Sequence, residues 1–422
     1  MNRSALVLMA AVALCLRLLW IFSIDHRGFG DNLWIDDHRA RGLIKQGSYH
    51  YEGIKTAFYP VGYPFFLSLV YRISGPSLIT AKIANAILGT ILCLITALIA
   101  KELFNPRTGI IAGWIMVFYP NNIFYSSIVM SEVLLASLLA FTVFLIISSQ
   151  TRKFYLILCG ILLGLCILVR PVAIILPVCI LIYWIWGDKT GFKKSLLRFV
   201  LLLCCVVIVL SPWTIRNYKV MNHFVLVSTN GGVNFWMAHV HGGYAEAPRR
   251  FGGNWSYPAS SPEQEVVAEQ QAYREAFEHL KQYPLEPLKR FPKKLIRFFY
   301  ADIDGLLNNS GFPVVKSISG IPALIPSLPV SLPTFCKWLL YFYAQGFYML
   351  LFITAAAGII QCIRTMQRRS YYLIILIVAW TLFHTLIFFP LARYRFPLMS
   401  LFVVFSAFYL AQTRLTLRKN TQ

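Results

Sequence analysis

The sequence predicts an all-α polytopic membrane protein, and its composition, its apolar segments and its loop charges all favour that class. Of the 422 residues, 58% are hydrophobic and only 13% are charged, and the mean hydropathy is +0.63. This balance matches neither an ordinary soluble domain nor a disordered chain. The chain is therefore expected to bury most of its apolar surface in a lipid bilayer.

Apolar segments that approach or exceed the length needed to cross about 30 Å of hydrocarbon predict about ten transmembrane helices. The first lacks a small-residue cleavage site and many spans follow it, so it is expected to be a retained helix rather than a signal peptide. The third is short, and we expect either that its flanks extend it or that it is re-entrant. The segments are 5–24, 78–100, 109–119, 124–149, 154–169, 172–187, 196–212, 335–363, 371–389 and 396–412.

Lys and Arg in the short connections fall on one side of the predicted membrane, which the positive-inside rule makes cytoplasmic. Both termini are then cytoplasmic, and two long loops, about 25–77 and 213–334, face outward. Three regions follow. An N-terminal transmembrane module at 1–212 contains the first outer loop, the second outer loop forms an extracytoplasmic region, and C-terminal transmembrane helices occupy 335–422.

The net charge of +22 is scattered over many loops. A nucleic-acid-binding protein would concentrate it in one basic domain, so we expect no nucleic-acid partner. Attraction to anionic lipids or to a phosphate-bearing substrate explains the charge better. All nine cysteines lie within or beside apolar segments, so the outer loops should fold without disulfides, and no Cys/His zinc pattern is present.

The second outer loop is predicted to hold helices after an irregular glycine-rich and aromatic stretch at 214–260. One helix should begin with Ser261 as its N-cap, Pro262 at the first helical position and Gln264 closing a capping box, and end at Tyr283. Basic and apolar residues then alternate as in a helix lying at the membrane interface.

Unusual charged residues stand at the outer ends of apolar helices. The rule for short outer connections disfavours Arg170, Arg393 and Arg395, which could instead converge on a phosphate or merely reach lipid headgroups. Glu132 is placed inside an apolar segment, where an ionised carboxylate needs a partner. It is expected either to serve a site or to make a structural hydrogen bond between helices.

Three aspartates lie in the first outer loop, ahead of a short helix that should end at Gly47. Asp36 and Asp37 could simply begin that helix, since carboxylates favour the positive end of the helix dipole. Asp31 follows a glycine that permits close approach of the backbone, which makes it the favoured functional carboxylate. An aromatic turn at 57–67 then leads into another apolar helix.

The order of these features resembles the membrane-embedded C-type glycosyltransferases. The resemblance is greatest to glycosyltransferase family 39, with the protein O-mannosyltransferases and the lipid A aminoarabinose transferases. The spacing from Asp31 to Ala40 is about one residue longer than is usual, which leaves Asp36 as the alternative match to the family acid. The matching segments are Gly30-Asp31, Pro60-Val61-Gly62-Tyr63-Pro64, Ser131-Glu132, Arg170-Pro171, Ser228-Thr229-Asn230-Gly231-Gly232 and Ala392-Arg393-Tyr394-Arg395-Phe396-Pro397.

The resemblance implies a C-type glycosyltransferase fold of about ten transmembrane helices, with interfacial helices in the first outer loop and a larger helix-containing outer loop. It implies transfer of a sugar, hexosyl or pentosyl, with inversion, from a polyprenyl-phosphate-linked donor to an extracytoplasmic lipid, glycan or protein. Such a reaction needs a base for the acceptor and cations for the departing phosphate. The implied catalytic residues are Asp31, Asp36 and Glu132, and the implied substrate-binding residues are Lys55, Tyr59, Tyr63, Arg170, Asn230, Arg393 and Arg395.

The same resemblance predicts membrane lipids as partners and a location in the cell membrane, as in a bacterial inner membrane, with the site on its outer side. No cofactor is certain and a divalent metal is possible, with Glu132 as an orienting or metal-binding carboxylate. The alternatives are a transporter or flippase for lipid-linked saccharides and an assembly protein for them. Transporters usually show internal repeats and mid-membrane charges, whereas this chain is asymmetric and gathers its unusual residues at one surface.

Overall fold

The part of the chain that the structure describes is almost entirely helical, with one two-stranded hairpin. We use a computed structural model, which describes residues 1–23, 34–51, 53–148, 153–186, 191–240, 261–299, 334–388 and 390–420. Its helices are α1 Arg3–Ser23, α2 Trp34–Lys45, α3 Gly62–Ser74, α4 Leu78–Leu103, α5 Pro106–Phe118, α6 Pro120–Phe124, α7 Glu132–Ser148, α8 Lys153–Val169, α9 Leu176–Trp186, α10 Phe192–Met221, α11 Gly231–His239, α12 Pro262–Gln282, α13 Glu286–Phe299, α14 Thr334–Arg364, α15 Tyr371–Leu386 and α16 Met399–Asn420, and its strands are β1 His50–Tyr51 and β2 Ile54–Lys55.

Every apolar segment found in the sequence contributes to a helix, which confirms the all-α membrane class. Six helices in the described residues are long and apolar enough to cross a membrane by themselves. They are Arg3–Ser23, Leu78–Leu103, Phe192–Met221, Leu339–Arg364, Arg368–Leu386 and Arg393–Thr413. Four further apolar helices are shorter, at Pro106–Phe118, Glu132–Ser148, Lys153–Val169 and Pro171–Trp186. The described residues thus contain six helices of full spanning length and four shorter apolar ones, and the count of about ten transmembrane helices stays a prediction.

Helix α4 lies at the centre of the bundle, where α1, α5 and α7 pack against it. Helix α16 packs on α5 and α14, and α8 joins α7 to α10. Small residues permit close approach at several of these contacts. A Cβ added at Gly160 of α8, for example, would lie 2.8 Å from the carbonyl oxygen of Leu202 in α10. This bundle is the rigid base from which the loops at one end project.

The region that follows the predicted helix at 196–212 is more helical than the sequence predicts. Helix α10 continues beyond the predicted end at 212 to Met221, with Pro212 inside it. Residues 231–239 form α11, although 214–260 was expected to be irregular. The glycines there serve packing, because a Cβ at Gly231 would lie 2.6 Å from Tyr273 Oη and one at Gly232 would lie 2.3 Å from the Glu269 carbonyl oxygen.

The two later helices of this region occur where the sequence predicts helices. Ser261 Oγ accepts a hydrogen bond from the Gln264 backbone amide at 3.3 Å, and α12 ends where Tyr283 caps it. Helix α13 packs against α15 and against the 3-10 turn at 392–398. The last part of the loop, 300–333, lies outside the described residues.

Glu132 is placed differently from the sequence prediction. The apolar segment 124–149 does not form one helix: α6 ends at Phe124, a 3-10 turn covers Tyr125–Ser127, and α7 begins at Glu132. Ser127 Oγ donates to the Phe124 carbonyl oxygen at 2.8 Å, a local bond that competes with continued helix. Glu132 therefore stands at the start of a helix, where the helix dipole favours a carboxylate.

Candidate active site at the loop end of the bundle

Glu132 and Arg170 form the centre of the candidate site. Arg170 lies between α8 and a 3-10 turn at Pro171–Ile175, where the chain leaves one helix and starts the next. Its Nη2 donates to Glu132 Oε1 at 2.6 Å and its Nε donates to Ser131 Oγ at 2.9 Å. The Glu132 side chain is only 3% exposed, so the carboxylate predicted to need a partner has one. The two motifs that carry the pair, 39 residues apart in sequence at Ser131 and Arg170, meet in space.

Arg393 supplies a second guanidinium to the same carboxylate. Its Nε lies 3.9 Å from Glu132 Oε1. Arg170 and Arg393 also lie on one aromatic ring, since their Cζ atoms are 5.4 and 5.2 Å from the ring centroid of Tyr394. Within the described residues, Glu132 Oε2 and Arg393 Nε have no hydrogen-bond partner. One carboxylate between two guanidiniums leaves a net positive charge and polar atoms that a ligand could satisfy.

Asp36 lies in the first turn of α2, close enough to Arg170, Arg393 and Glu132 to interact with their charges. Burial raises the pKa of the Asp36 carboxyl to about 6, and the positive charges of Arg39, Arg170 and Arg393 offset part of that rise. Glu132 adds to it, as a like charge should. A carboxyl with such a pKa is mostly ionised near neutral pH and can still take up a proton, which suits a general base.

Arg39 and Tyr394 are site residues that the sequence reasoning missed. Arg39 is fully buried, and its Cζ lies 4.6 Å from the ring centroid of Tyr59 and 5.7 Å from that of Tyr49. Its position three residues after Asp36 puts both on one face of α2, and this spacing was a signal that could have found it. Tyr394 lies within the arginine-containing motif at 392–397, in which the sequence reasoning considered only the two guanidiniums.

The three aspartates of the first loop separate. Asp37 lies in the first turn of α2, as expected, but it is buried rather than solvated. It accepts hydrogen bonds from Arg41 Nε at 2.8 Å and from Tyr71 Oη at 2.5 Å, which makes it a link between α2 and α3. The favoured base of the sequence analysis, Asp31, lies outside the described residues. Gly47 ends the helix region with a φ of +61°, as the sequence predicts.

The proline-glycine-tyrosine-proline turn places the first loop against the helix that carries Arg170. A Cβ at Gly62 would lie 2.5 Å from the Val169 backbone nitrogen, so only glycine fits there without movement of one backbone. Tyr63 is buried and hydrogen bonds Asn85 of α4, and Asn85 donates to the Ile128 carbonyl oxygen at 2.7 Å. The turn is thereby fixed to both segments that precede the Glu132–Arg170 pair.

The second outer loop holds the first from the other side. Glu265 of α12 is buried and accepts hydrogen bonds from Thr56 Oγ1 at 2.7 Å, from the Ala57 amide at 3.0 Å and from Thr229 Oγ1. The Thr229 amide donates to the Ala57 carbonyl oxygen at 3.0 Å. These bonds fix the segment that leads into Tyr59, the residue under Arg39.

The remaining predicted binding residues take varied positions. Asn230 precedes α11 at the N-cap position without a side-chain capping bond, and its Oδ1 accepts a hydrogen bond from Ser228 Oγ at 3.0 Å. Lys55 is exposed on β2. Arg395 is fully buried, donates through Nη1 to the Phe298 carbonyl oxygen, and lies 4.5 Å over the Tyr348 ring. These contacts give Arg395 a role in holding α13 and α14 together.

No group of three or more His, Cys, Asp or Glu side chains that could hold a metal ion occurs in the described residues. Asp36 and Glu132 by themselves offer four carboxylate oxygens, fewer than the six or more oxygen ligands that a hard divalent cation prefers.

Comparisons with known proteins agree with this architecture. Residues 59–215 match the family model described as "Dolichyl-phosphate-mannose-protein mannosyltransferase". No curated protein matches the sequence. Solved structures with similar folds include the apo oligosaccharyltransferase of Archaeoglobus fulgidus, at 17% identity and a TM-score of 0.56 over 99% of this chain and 51% of that one. The same enzyme, AglB, in complex with an inhibitory peptide and a dolichol-phosphate gives 15% identity and a TM-score of 0.57, again over 99% and 51%.

A structure of ArnT from Cupriavidus metallidurans bound to undecaprenyl phosphate also matches, at 16% identity and a TM-score of 0.46 over 98% of this chain and 78% of that chain. The chain spans about half the length of the archaeal oligosaccharyltransferase. The matched family region contains the turn around Gly62, Glu132 and Arg170, while Asp36 and Arg393 lie outside it. The protein is therefore a helical membrane protein with the fold of the C-type glycosyltransferases, and its residues 59–215 match a mannosyltransferase family model.

Proposed function

We propose that the protein is an inverting glycosyltransferase that moves a sugar from a polyprenyl-phosphate-linked donor to an acceptor outside the cytoplasm. The observation that carries the proposal is the convergence of Arg170 and Arg393 on Glu132, with Asp36 close to them. The family description names a dolichyl-phosphate donor, and the archaeal enzyme of similar fold has been captured with a dolichol-phosphate and a peptide. Both support a lipid-phosphate donor here.

The two guanidiniums suit the phosphate of the donor. Arg presents a planar fork of donors that matches phosphate oxygens, and it stays charged at all physiological pH values. As the bond between the anomeric carbon and the phosphate oxygen breaks, the electron pair stays on that oxygen. Arg170 and Arg393 would stabilise the added negative charge. Glu132 forms an ion pair with Arg170 and lies 3.9 Å from Arg393, so its negative charge offsets part of the repulsion between the two guanidiniums.

Asp36 suits the base. In the proposed step, its carboxylate takes the proton from the acceptor hydroxyl or amine while the acceptor atom forms a bond to the anomeric carbon from the face opposite the phosphate. The products are the glycosylated acceptor, the polyprenyl phosphate and a protonated Asp36, which returns its proton to solvent. Asp31 is the second candidate for this role on the basis of the sequence motif.

The proposed setting is a cell membrane, as in a bacterial inner membrane, with the site on its outer face. The transferred group is a hexosyl or pentosyl unit. The grooves between apolar helices would hold the prenyl chain, since lipid tails and apolar side chains are mutually soluble.

The test incubates the purified protein with defined polyprenyl-phosphate sugars and an extract of membrane acceptors. We expect release of polyprenyl phosphate, which mass spectrometry measures. Asp36→Asn should reduce turnover by roughly 10²–10⁴-fold, the usual contribution of a positioned general base. The same assay is carried out on the Asp31→Asn and Asp37→Asn proteins, and on the natural protein in the presence of a chelator. Full activity in both Asp31→Asn and Asp36→Asn would exclude a first-loop base. Movement of the intact lipid-linked donor across vesicles without its cleavage would instead identify a flippase.

A further inference from the structure

Lys294 is a nearly buried cation outside the arginine cluster. It lies on α13 and is 9% exposed. Its Nζ makes one hydrogen bond, to the Phe388 carbonyl oxygen at 3.5 Å, which is the outer limit for such a bond. An ammonium has three N–H donors. Most of its hydrogen-bonding capacity is therefore available for another group.

The charges around Lys294 do not neutralise it. Arg290, one turn earlier on the same face of α13, forms an ion pair with Glu286 at 2.5 Å. His279 also bonds Glu286, at 2.8 Å. Within the described residues, no carboxylate forms an ion pair with Lys294. The carboxylate of Glu286 is thus already shared by Arg290 and His279, and Lys294 keeps a positive charge that no carboxylate in the described part of the chain pairs with.

His239 of α11 completes the surroundings. It is 5% exposed, and its Nε2 donates to the Ile387 carbonyl oxygen at 3.2 Å, beside the carbonyl that Lys294 contacts. Burial, followed by the positive charge of Lys294, lowers the pKa of His239 to about 4, so the imidazole is neutral at physiological pH. Burial and Arg290 lower the pKa of Lys294 to about 8, which still leaves it mostly protonated at neutral pH.

The exposed basic residues of α13 provide a contrast with Lys294. Lys289, Lys293 and Arg297 are exposed there, together with Ile296, which is 65% exposed. Those side chains can reach headgroups at a membrane surface. Lys294 faces the protein instead, so contact with bulk headgroups does not account for its burial.

The position of Lys294 connects it to the arginine cluster. One turn further along α13, the Phe298 ring lies 5.9 Å from the His384 ring. The His384 ring lies 5.5 Å from the ring of Tyr394, on which Arg170 and Arg393 rest. Lys294 therefore stands at the edge of the candidate site, separated from its centre by a short aromatic stack.

A buried charge without a counter-charge is costly, and a ligand of opposite charge removes that cost. We propose that Lys294, with the guanidinium of Arg290 beside it, forms a second anion-binding site that takes a phosphate or carboxylate group of the acceptor. The assignment of that anion to the acceptor rests on the proposed function, whereas binding of an anion at Lys294 does not. The acceptor would then be an anionic molecule held by its charge at a fixed position relative to the donor phosphate.

The test compares adjacent lysines in the full-length protein. Equilibrium binding of radiolabelled inorganic phosphate, and of phosphatidic acid presented in phosphatidylcholine nanodiscs, is measured in an Arg393→Ala background that weakens the donor site. Lys294→Met should weaken binding by roughly tenfold or more, as loss of a charge-assisted bond does. Lys293→Met, which alters an exposed lysine one residue away, should leave it unchanged. The two probes show whether the anion is recognised free or on a lipid.

A second measurement locates the anion directly. Acylation of Lys293 and Lys294 by an amine-reactive ester is followed by mass spectrometry with and without each probe, and the anion should protect Lys294 alone. Equal binding by Lys294→Met and Lys293→Met proteins would overturn the proposal, as would binding that Arg393→Ala abolishes entirely. Donor cleavage is measured separately, so failure of the transferase assay with intact anion binding would refute the proposed function and leave the second site standing.

Discussion

The two arginines of the turn at 392–398 differ in surroundings, although they are two residues apart. Arg395 is fully buried, bonds the Phe298 carbonyl oxygen and rests on Tyr348. Arg393 has a 34% exposed side chain and lies 3.9 Å from a carboxylate that it shares with Arg170. Within one short motif, Arg395 thus connects two helices, whereas Arg393 belongs to the candidate ligand site. The distinction lies in what each guanidinium faces.

The largest effect is expected on the structural side of this pair. Arg395→Ala removes a buried cation and leaves the Phe298 carbonyl oxygen and the Tyr348 ring without their partner. It should lower the free energy of unfolding by roughly 3–5 kcal/mol, as breaking a buried charged contact does. The measurement is the thermal unfolding midpoint in detergent. A midpoint unchanged from the natural protein would mean that Arg395 does not hold α13 to the bundle.

On the site side, Arg393→Ala should leave the unfolding midpoint close to that of the natural protein, because this side chain is partly exposed. Its effect should be a loss of donor affinity of roughly tenfold or more, since a hydrogen bond to a charged group contributes about 1.5–3 kcal/mol. Binding of a polyprenyl-phosphate sugar by equilibrium titration measures it. Arg393→Lys is the matched control, expected to recover part of the affinity through charge but not the planar fork. Unchanged affinity in Arg393→Ala would contradict the phosphate role.

A smaller effect tests how the first loop supports the site. Gly62→Ala adds a Cβ that would meet the Val169 backbone nitrogen at 2.5 Å. Because backbone cannot yield as a flexible side chain does, the substitution should cost about 1–3 kcal/mol of stability and shift Arg170 with the end of α8. Gly53→Ala is a poor control because its φ is +85°. Gly346→Ala is preferable, since a Cβ there meets nothing within 4 Å. Equal stability of the Gly62 and Gly346 variants would show that the turn does not approach α8 so closely.

The smallest effect concerns pH. A base must be deprotonated to act, so kcat/KM should fall as the pH drops below the raised pKa of Asp36, with half of the plateau value at about pH 6. Arg39→Met removes a positive charge that lowers this pKa and should move the midpoint to higher pH. Lys293→Met should leave it in place. A profile that is flat through pH 6 would assign the base elsewhere, with Asp31 as the next candidate.

Much of the local structure was predictable from residue patterns. The Ser261 cap, the end of α12 at Tyr283 and the glycine after α2 are set by bonds within a few residues of each other. Two boundaries were wrong, because α10 continues through Pro212 and α7 starts only at Glu132. Both errors arose from treating an apolar run as equivalent to a helix. The apolar character of a segment indicates whether it lies in lipid or protein interior rather than in water, whereas the ends of a helix depend on local hydrogen bonds.

The candidate site was predictable in part. Glu132, Arg170 and Arg393 were identified as charges out of place in apolar surroundings, and the structure brings them into contact. Arg39 and Lys294 were missed as site residues because each lies in a polar helix, where a basic residue is unremarkable. Arg395 was grouped with Arg393, since no sequence pattern tells which carbonyl or carboxylate a guanidinium will meet.

The sequence by itself determined the membrane class, the apolar segments that contribute to helices and the set of charged residues that must find partners. These follow from composition and from the cost of placing charge in hydrocarbon, which act residue by residue. Only the tertiary structure decided that Glu132 joins Arg170 and Arg393, that Asp37 is a structural link while Asp36 lies near the arginines, and that Lys294 is turned inward. Those outcomes depend on the packing of helices distant in sequence, because short-range contacts between charges arise only when the backbone positions that carry them are fixed.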